Sequence, residues 1–335
     1  MAAGKGERLK GLTQTIPKAL VQVAGKTLLE HGIERLTKAN VQNITIAVGW
    51  KSDMIRDAIP QFENSSNIQI VDVYNYEIGP LQTLTTALNA IHDEDSIICP
   101  VDLLISSDAI SKIVSHHAGH PNALVTLAVD HHATSGSIVS INSLGRIIGV
   151  QKEVDHAESI SKSAMFMVTS SRFAEYCKNG LDKGSTTVVS ALNDIIENGF
   201  HVQSYSVQEK WFDVDTIADT LEANRHLLEN AIVHSSGTIF IPSGDTMDFG
   251  NLLHLGSGIE VGAGVSLKGP SLLLRDSKIG ANCTIGPYTS VGIGTQIGDR
   301  CEIQNAVISG QSRITDNTKL NDILMNESKI FSMEE

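Results

Sequence analysis

The sequence predicts an α/β fold in two parts: a Rossmann-like, mostly parallel sheet with flanking helices, then a left-handed parallel β-helix. Three observations carry this. Short apolar runs alternate with amphipathic ones from Thr27 onward, a glycine-rich turn heads that alternation, and from Phe249 the pattern changes to a period of six. Strand, helix, strand, helix at close spacing points to a parallel sheet wrapped by helices. A six-residue period is that of β-helix coils. At 335 residues the chain has room for about two such domains.

Thr27 to Asn40 places Leu28, Leu29, Ile33 and Leu36 on one helical face. Ile44 to Val48 (ITIAV) is a short apolar strand; Ser52 then caps a helix that Pro60 ends. Ile68 to Val73 alternates into another strand. Ser96 to Leu104 (SIICPVDLL) is an apolar strand with one carboxylate, Asp102, near its end, and Asp108 is a candidate cap for the next helix. A buried aspartate is costly unless paired or bound to a cation. Ala123 to Val129 and Ser137 to Ile141 are strands, with Gly145 as a hairpin turn. Val188 to Asn198 is a helix ended by Gly199, followed by a strand from Val202 to Val207. Ligands of such sheets bind at the carboxyl ends of the strands, where the glycine turn lies.

The formal charge of -13 argues against nucleic acid or an anionic membrane as partner. It leaves room for a nucleotide, because a few local cations and a bound metal ion reverse the field at one site. No apolar run reaches the roughly 18 residues of a membrane helix, and no basic-plus-apolar leader opens the chain. Cys99, Cys177, Cys283 and Cys301 lie far apart without C-x-x-C spacing and are expected to be reduced, mostly buried thiols of a cytoplasmic protein. His116, His117, His120, His131 and His132 fit no zinc spacing. Gly119 and Pro121 place the first three in a loop, so these histidines are expected at the surface.

The first eighteen residues, MAAGKGERLKGLTQTIPK, hold the densest chemistry. Gly4 and Gly6 flank Lys5, and a turn without Cβ atoms lets the backbone approach a phosphate. Arg8 offers a planar fork and Lys18 a compact point charge. Together they describe a cradle for a triphosphate. It is neither a P-loop, which needs Gly-Lys-Ser/Thr, nor the dinucleotide fingerprint, which needs a third glycine.

The full string A-A-G-x-G-x-R-L-x-x-L-T-x-x-x-P-K-x-L-x-x-V-x-G-K-x-L-L-E, unbroken to Glu30, resembles the signature of the sugar-1-phosphate nucleotidyltransferases, or NDP-sugar pyrophosphorylases. KWFDVDTIADTLEAN, Lys210 to Asn224, is similar to the same family's W-x-D-V-D-T-x-x-D-L-x-x-A. The matches span residues 1 to 226 of the sequence, the expected catalytic domain. The resemblance implies that NTP and sugar 1-phosphate give NDP-sugar and pyrophosphate. It implies nucleotide contacts from Ala3, Gly4, Gly6 and Gly79, Arg8 on the leaving pyrophosphate, and Lys18 at the α-phosphate. It further implies Mg²⁺ on Asp102 and Asp213, Lys152 on the sugar phosphate, Asp215 ordering its turn and Thr216 capping the last helix of the domain.

Several positions depart from the family pattern. Gln82 and Thr83 follow Gly79 where Gly-Thr-Ala or Gly-Ser is usual, Gln151 and Glu153 flank Lys152, and Ala164 of AMFMV (Ala164 to Val168) replaces a glycine in the strand beside the sugar. Only Met1, Ala2 and Ala3 precede the turn, where the family has about half a dozen apolar residues; the recorded start is then internal to the reading frame or the first strand is clipped. Guanylyl, uridylyl, thymidylyl and cytidylyl transfer all remain open. So does a regulatory subunit that binds nucleotide sugar without turning it over.

From Phe249 to Ile308 run ten hexads, among them LGSGIE, IGANCT, IGPYTS and IGDRCE. Three hexads make one coil, with Ile279, Ile285, Val291 and Ile297 stacked inward and Cys283 and Cys301 in equivalent places. Residues 249 to 314 are the expected β-helix, 227 to 248 a connector, and 315 to 335 a tail that closes one end or packs on a neighbour. Exposed coil flanks favour a homo-oligomer. No histidine follows His254, so acyl transfer by a coil histidine is the lesser alternative.

Overall fold

The computed structural model describes residues 1–9, 11–62, 67–91, 94–134, 136–230, 239–240, 248–249, 253–327 and 329–333. The chain runs through α1 (Gly11–Thr15), the two-residue strands β1 (Gln22–Val23) and β2 (Lys26–Thr27), then α2 (Leu28–Lys38), β3 (Ile44–Val48) and α3 (Ser52–Ala58). Next come β4 (Ile68–Asp72), α4 (Pro80–Ala90), β5 (Ser96–Ile98), β6 (Leu103–Leu104), α5 (Ser107–Ala118), β7 (Ala123–Asp130), β8 (Ile138–Ile141) and β9 (Ile147–Val150). β10 (Ser159–Thr169), α6 (Phe173–Asp182), α7 (Val188–Glu197), β11 (His201–Ser206), β12 (Phe212–Asp213) and α8 (Ile217–Asn230) follow, and then a series of short strands. Two compact units result. One comprises Met1–Gly6, Ile16–Leu20 and Leu28–Asp213; the other comprises Glu7–Thr15, Val21–Thr27 and Val214–Glu335.

In the first unit β3 and β4 pair in parallel, as do β7 and β11. The long strand β10 runs antiparallel to β5, β7 and β8 and ties the mixed sheet together. Side chains alternate across it. Val125, Leu127 and Val129 of β7 and Met167 of β10 pack with Leu84, Phe173 and Ile195 of α4, α6 and α7. Ala128, Phe166 and Val168 face the other way, onto Ile110 and Ile113 of α5. Both faces are therefore covered, which is why these strands read as continuous apolar runs.

Local details differ from expectation in four places. The Ser96 to Leu104 strand is broken at Pro100 into β5 and β6, leaving Asp102 in the turn between them. Ser52 does not cap α3; Lys51 precedes it in left-handed conformation (φ 51) with no side-chain cap. Pro60 continues the chain into a 3-10 turn, Ile59–Gln61. Ser106, not Asp108, caps α5, its Oγ accepting from Ala109 N–H at 3.1 Å. The histidine expectation is also corrected: His116 and His117 lie in the last turn of α5, and His117 is buried, its Nδ1 2.7 Å from Thr126 Oγ1.

In the second unit short strands stack in parallel at a register of 18 residues, as in Leu267↔Ile285, Leu273↔Val291 and Ile279↔Ile297. Ile279, Ile285, Val291 and Ile297 are buried in its core, as the hexad reading requires. Cys283 and Cys301 stack there too, with Cys301 N–H donating to Cys283 Sγ at 3.3 Å, and burial pushes the Cys283 thiol up to about 11. The last coil shortens to 17 residues (Glu302↔Lys319), and Lys329–Ser332 folds back antiparallel on Lys319–Asn326. Much of the connector, residues 231–238 and 241–247, and the start of the first hexad, 250–252, lie outside the described residues.

Asn224 of α8 unites this unit. Its Oδ1 accepts from Ala24 N–H in the β1–β2 turn at 3.0 Å and from Ser290 Oγ at 2.7 Å, while its Nδ2 donates to Tyr288 O at 3.0 Å. Replacing it strands three polar groups, the Ser290 hydroxyl fully buried and the Ala24 N–H and Tyr288 carbonyl partly so, each costly to leave unpaired. Asn224→Ala is expected to lower stability by about 3 kcal/mol in urea titrations, against about 1 kcal/mol for Ser290→Ala.

Burial holds the His117 pKa below its ordinary 6.5, the pull of Asp95 4.0 Å away notwithstanding, and His120 works in the same direction as burial. The unfolded chain then binds the proton more readily than the folded one, so this stability is complete above 6.5 and is lost as pH falls from there through the lower folded value. His117→Gln should shrink the difference in unfolding midpoint between pH 7.5 and about pH 5.5.

Candidate active site

The chain enters the site at the carboxyl end of β3, where Ala2 N–H donates to Ala47 O (2.8 Å) and Trp50 N–H to Ala3 O (3.0 Å). The glycine turn follows. Among the described residues, nothing lies within 4 Å of a would-be Cβ on Gly4, so its backbone stands open to them. Gly6 is different: its φ is +66, and a Cβ there would come within 2.9 Å of Lys18 Cβ. That close approach seats Lys18 under the turn. Lys5, between the glycines, pairs with Glu77 at 2.7 Å and lies 5.6 Å from the Trp50 ring centre.

Lys18 opens a 3-10 turn (Lys18–Leu20), and its side chain is only 7% exposed. Its Nζ donates to Asp102 Oδ2 at 2.5 Å, and the Asp102 side chain is 20% exposed. The pair answers the cost of burying either charge alone. Asp102 reaches this place because Pro100 breaks the strand. Beyond the break β6 pairs antiparallel with β12 in the register Phe212↔Leu104 and Asp213↔Leu103. That register sets Asp213 beside Asp102, with a carboxylate oxygen of each within 4.8 Å of the other. Asp102 Oδ1 is buried with no hydrogen-bond partner among the described residues. An orphaned carboxylate oxygen beside a second carboxylate suits a hard divalent cation, which in phosphate sites is bound by one or two carboxylates and completed by substrate oxygens and water.

The first unit thus brings together Ala3, Gly4, Gly6, Lys18, Asp102 and Asp213. Gly79, at the start of α4, takes φ 144, and a Cβ on it would strike Thr186 O at 2.5 Å. Glu77, two residues earlier, carries the ion pair from Lys5. Lys152 is engaged elsewhere, its Nζ 2.8 Å from Glu197 of α7. AMFMV falls on a bulge of β10 between Ser163 and Met167, where Met165 takes φ 71, a strained state for a side chain of this size. Arg8 belongs to the second unit, 75% exposed and paired with Asp215. There Asp219 Oδ2 accepts from Asp215 N–H, Thr216 N–H and the Thr216 hydroxyl, while Thr216 Oγ1 accepts from Asp219 N–H, a reciprocal cap on α8.

Sequence reasoning passed over Lys5, Trp50 and Glu77 as site residues. The available signal was Gly49-Trp50-Lys51 directly after ITIAV, at a strand's carboxyl end.

Residues 1–230 match the family described as Nucleotidyl transferase, and the chain belongs to that family. Among curated relatives, the low-salt glycan biosynthesis nucleotidyltransferase Agl11 of Haloferax volcanii is 24% identical over 246 residues, 71% of this chain and 68% of that protein. Glucose-1-phosphate thymidylyltransferase of Streptomyces antibioticus is 24% identical over 245 residues, with the same coverage of each chain. Bifunctional protein GlmU of Methanococcus maripaludis is 26% identical over 244 residues, 71% of this chain and 56% of its own. A solved structure, apo UDP-glucose pyrophosphorylase, superposes with a TM-score of 0.59 at 16% identity, covering 68% of this chain and 96% of that one; this likeness is one of fold. Among the described residues no helix is long and apolar enough to cross a membrane.

The two glycines should respond differently to a methyl group. Gly6→Ala, with its positive φ and the Lys18 contact, is expected to cost about 1–3 kcal/mol. Gly4→Ala should stay within about 0.5 kcal/mol of wild type. Chemical denaturation of both variants checks this.

Proposed function

We propose that the protein is a sugar-1-phosphate nucleotidyltransferase, joining an NTP and a sugar 1-phosphate into an NDP-sugar with release of pyrophosphate, and that its metal is Mg²⁺. The observation that most supports this is the meeting of the buried Lys18 with Asp102, a carboxylate that also stands next to Asp213, beneath a glycine turn. The names of the Streptomyces and Haloferax relatives point the same way.

In the proposed reaction an oxygen of the sugar phosphate bonds to the α-phosphorus of the NTP while the bond from that phosphorus to the pyrophosphate oxygen breaks, in line. Positioning and charge stabilisation supply the rate. The backbone at Ala3, Gly4 and Gly6 offers amides to the triphosphate, and Gly79 lets the chain approach the base. Lys18 neutralises charge at the α-phosphate. Mg²⁺ held by Asp102 and Asp213 would supply further neutralisation of phosphate oxygens. Lys152 exchanges Glu197 for the sugar phosphate, and Arg8 exchanges Asp215 for pyrophosphate. A homo-oligomer built through the coils completes the proposal.

Pyrophosphate release, measured with Mg²⁺ for each common NTP against glucose, mannose and N-acetylglucosamine 1-phosphates, tests the reading. One productive pair is expected; no release from folded protein with any pair contradicts it. On that pair Lys18→Ala should lose about 10²–10³ in turnover with its circular dichroism unchanged. A variant within about threefold of wild type would take Lys18 out of the mechanism.

A further inference from the structure

Three loops of the first unit meet beside the glycine turn. The Trp50 N–H bond to Ala3 O holds the loop after β3 against the start of the turn. The Tyr76 ring lies on Gly49, where a Cβ would come within 2.6 Å of Tyr76 Cδ1 and 2.8 Å of Ala3 O. Tyr76 and Glu77 belong to a 3-10 turn, Tyr76–Ile78, that runs straight into Gly79. Lys5 joins all three. Its Nζ lies 2.7 Å from Glu77 Oε1 and 5.6 Å from the centre of the Trp50 indole, and Lys51 Nζ lies 5.7 Å from the same centre.

Lys5 and Lys18 are held in different ways. Lys18 is buried against Asp102, where water does not compete for the pair. Lys5 is 39% exposed and Glu77 67% exposed. An ion pair this open to water contributes little and exchanges readily. A terminal phosphate offers Lys5 more charge and more acceptor oxygens than one carboxylate does. The exchange costs Glu77 little, because its carboxylate already faces water. The Trp50 face attracts the ammonium whether or not Glu77 holds it, so the side chain stays beside the turn when the ion pair opens. Lys5 is also carried by the turn itself, between Gly4 and Gly6, and so stands next to whatever that backbone binds.

We infer that Lys5 is a binding residue for the terminal phosphate of a nucleoside triphosphate, exchanging Glu77 for it, and that Glu77 is a positioning residue that holds Lys5 while no phosphate is bound. The inference rests on the reading of the glycine turn as a phosphate cradle. Glu77 then competes with the terminal phosphate, and a ligand without that phosphate leaves the pair closed. Selection of triphosphate over diphosphate falls to one partly exposed lysine.

Calorimetric titration of the full chain with inorganic tripolyphosphate in Mg²⁺ tests this without any turnover. Lys5→Met should weaken binding by about tenfold or more, and Lys5→Arg, which keeps the charge, should stay within about threefold of wild type. Glu77→Gln should tighten it by about threefold or more. Lys51→Met removes an equal charge from the same indole and should change binding by no more than about twofold. With a productive substrate pair, Lys5→Met should raise KM for the NTP and leave kcat within about threefold. Unchanged tripolyphosphate binding in Lys5→Met, or equal weakening by Lys51→Met, would overturn the inference and leave the proposed reaction standing. No binding by the wild type would overturn it too, by removing the cradle; the proposed reaction is decided separately by pyrophosphate release.

Discussion

The ion pair between Lys18 and Asp102 is the constraint around which the first unit is arranged. A buried lysine and a mostly buried aspartate are each costly alone, and at 2.5 Å each answers the other. Holding them there requires three features that are not themselves charged. Gly6 must lack a Cβ so that the chain can lie against Lys18. Pro100 must break the strand so that Asp102 falls in a turn, and β12 must pair with β6 in the one register that sets Asp213 alongside. The pair satisfies only half of Asp102. Its other oxygen is buried without a hydrogen-bond partner among the described residues, an arrangement that is costly unless a cation answers it.

The second unit depends on a neutral counterpart. Asn224 uses both ends of its amide to hold the β1–β2 turn, α8 and the stacked coils together, while Thr216 and Asp219 cap the helix that carries it. The segment W-F-D-V-D-T therefore does two jobs within a few residues. Asp213 goes to the carboxylate pair, and Thr216 starts the helix that anchors the coils.

What the sequence revealed was whatever local chemistry encodes. The glycine spacing, the D-V-D-T cap and the hexad period each depend on residues a few positions apart, and each appears in the structure as a turn, a cap and an 18-residue coil register. Contacts between distant residues were hidden. Nothing near His117 announces that Thr126 and the sheet will bury it, and nothing near Ala24 points 200 residues on to Asn224. Arg8 and Asp215 each belong to a recognisable motif, yet their pairing with one another is visible only in three dimensions. Asp102 was legible as a carboxylate that needs a partner; that Lys18 is that partner was not.

The most direct test of this account is to locate Mn²⁺ by its anomalous scattering in crystals grown with a non-hydrolysable NTP analogue. The account predicts the ion within bonding distance of Asp102 Oδ1 and an Asp213 carboxylate oxygen, with the triphosphate along Gly4 and Gly6. An ion bound elsewhere, with Asp102 still paired only to Lys18, would contradict it.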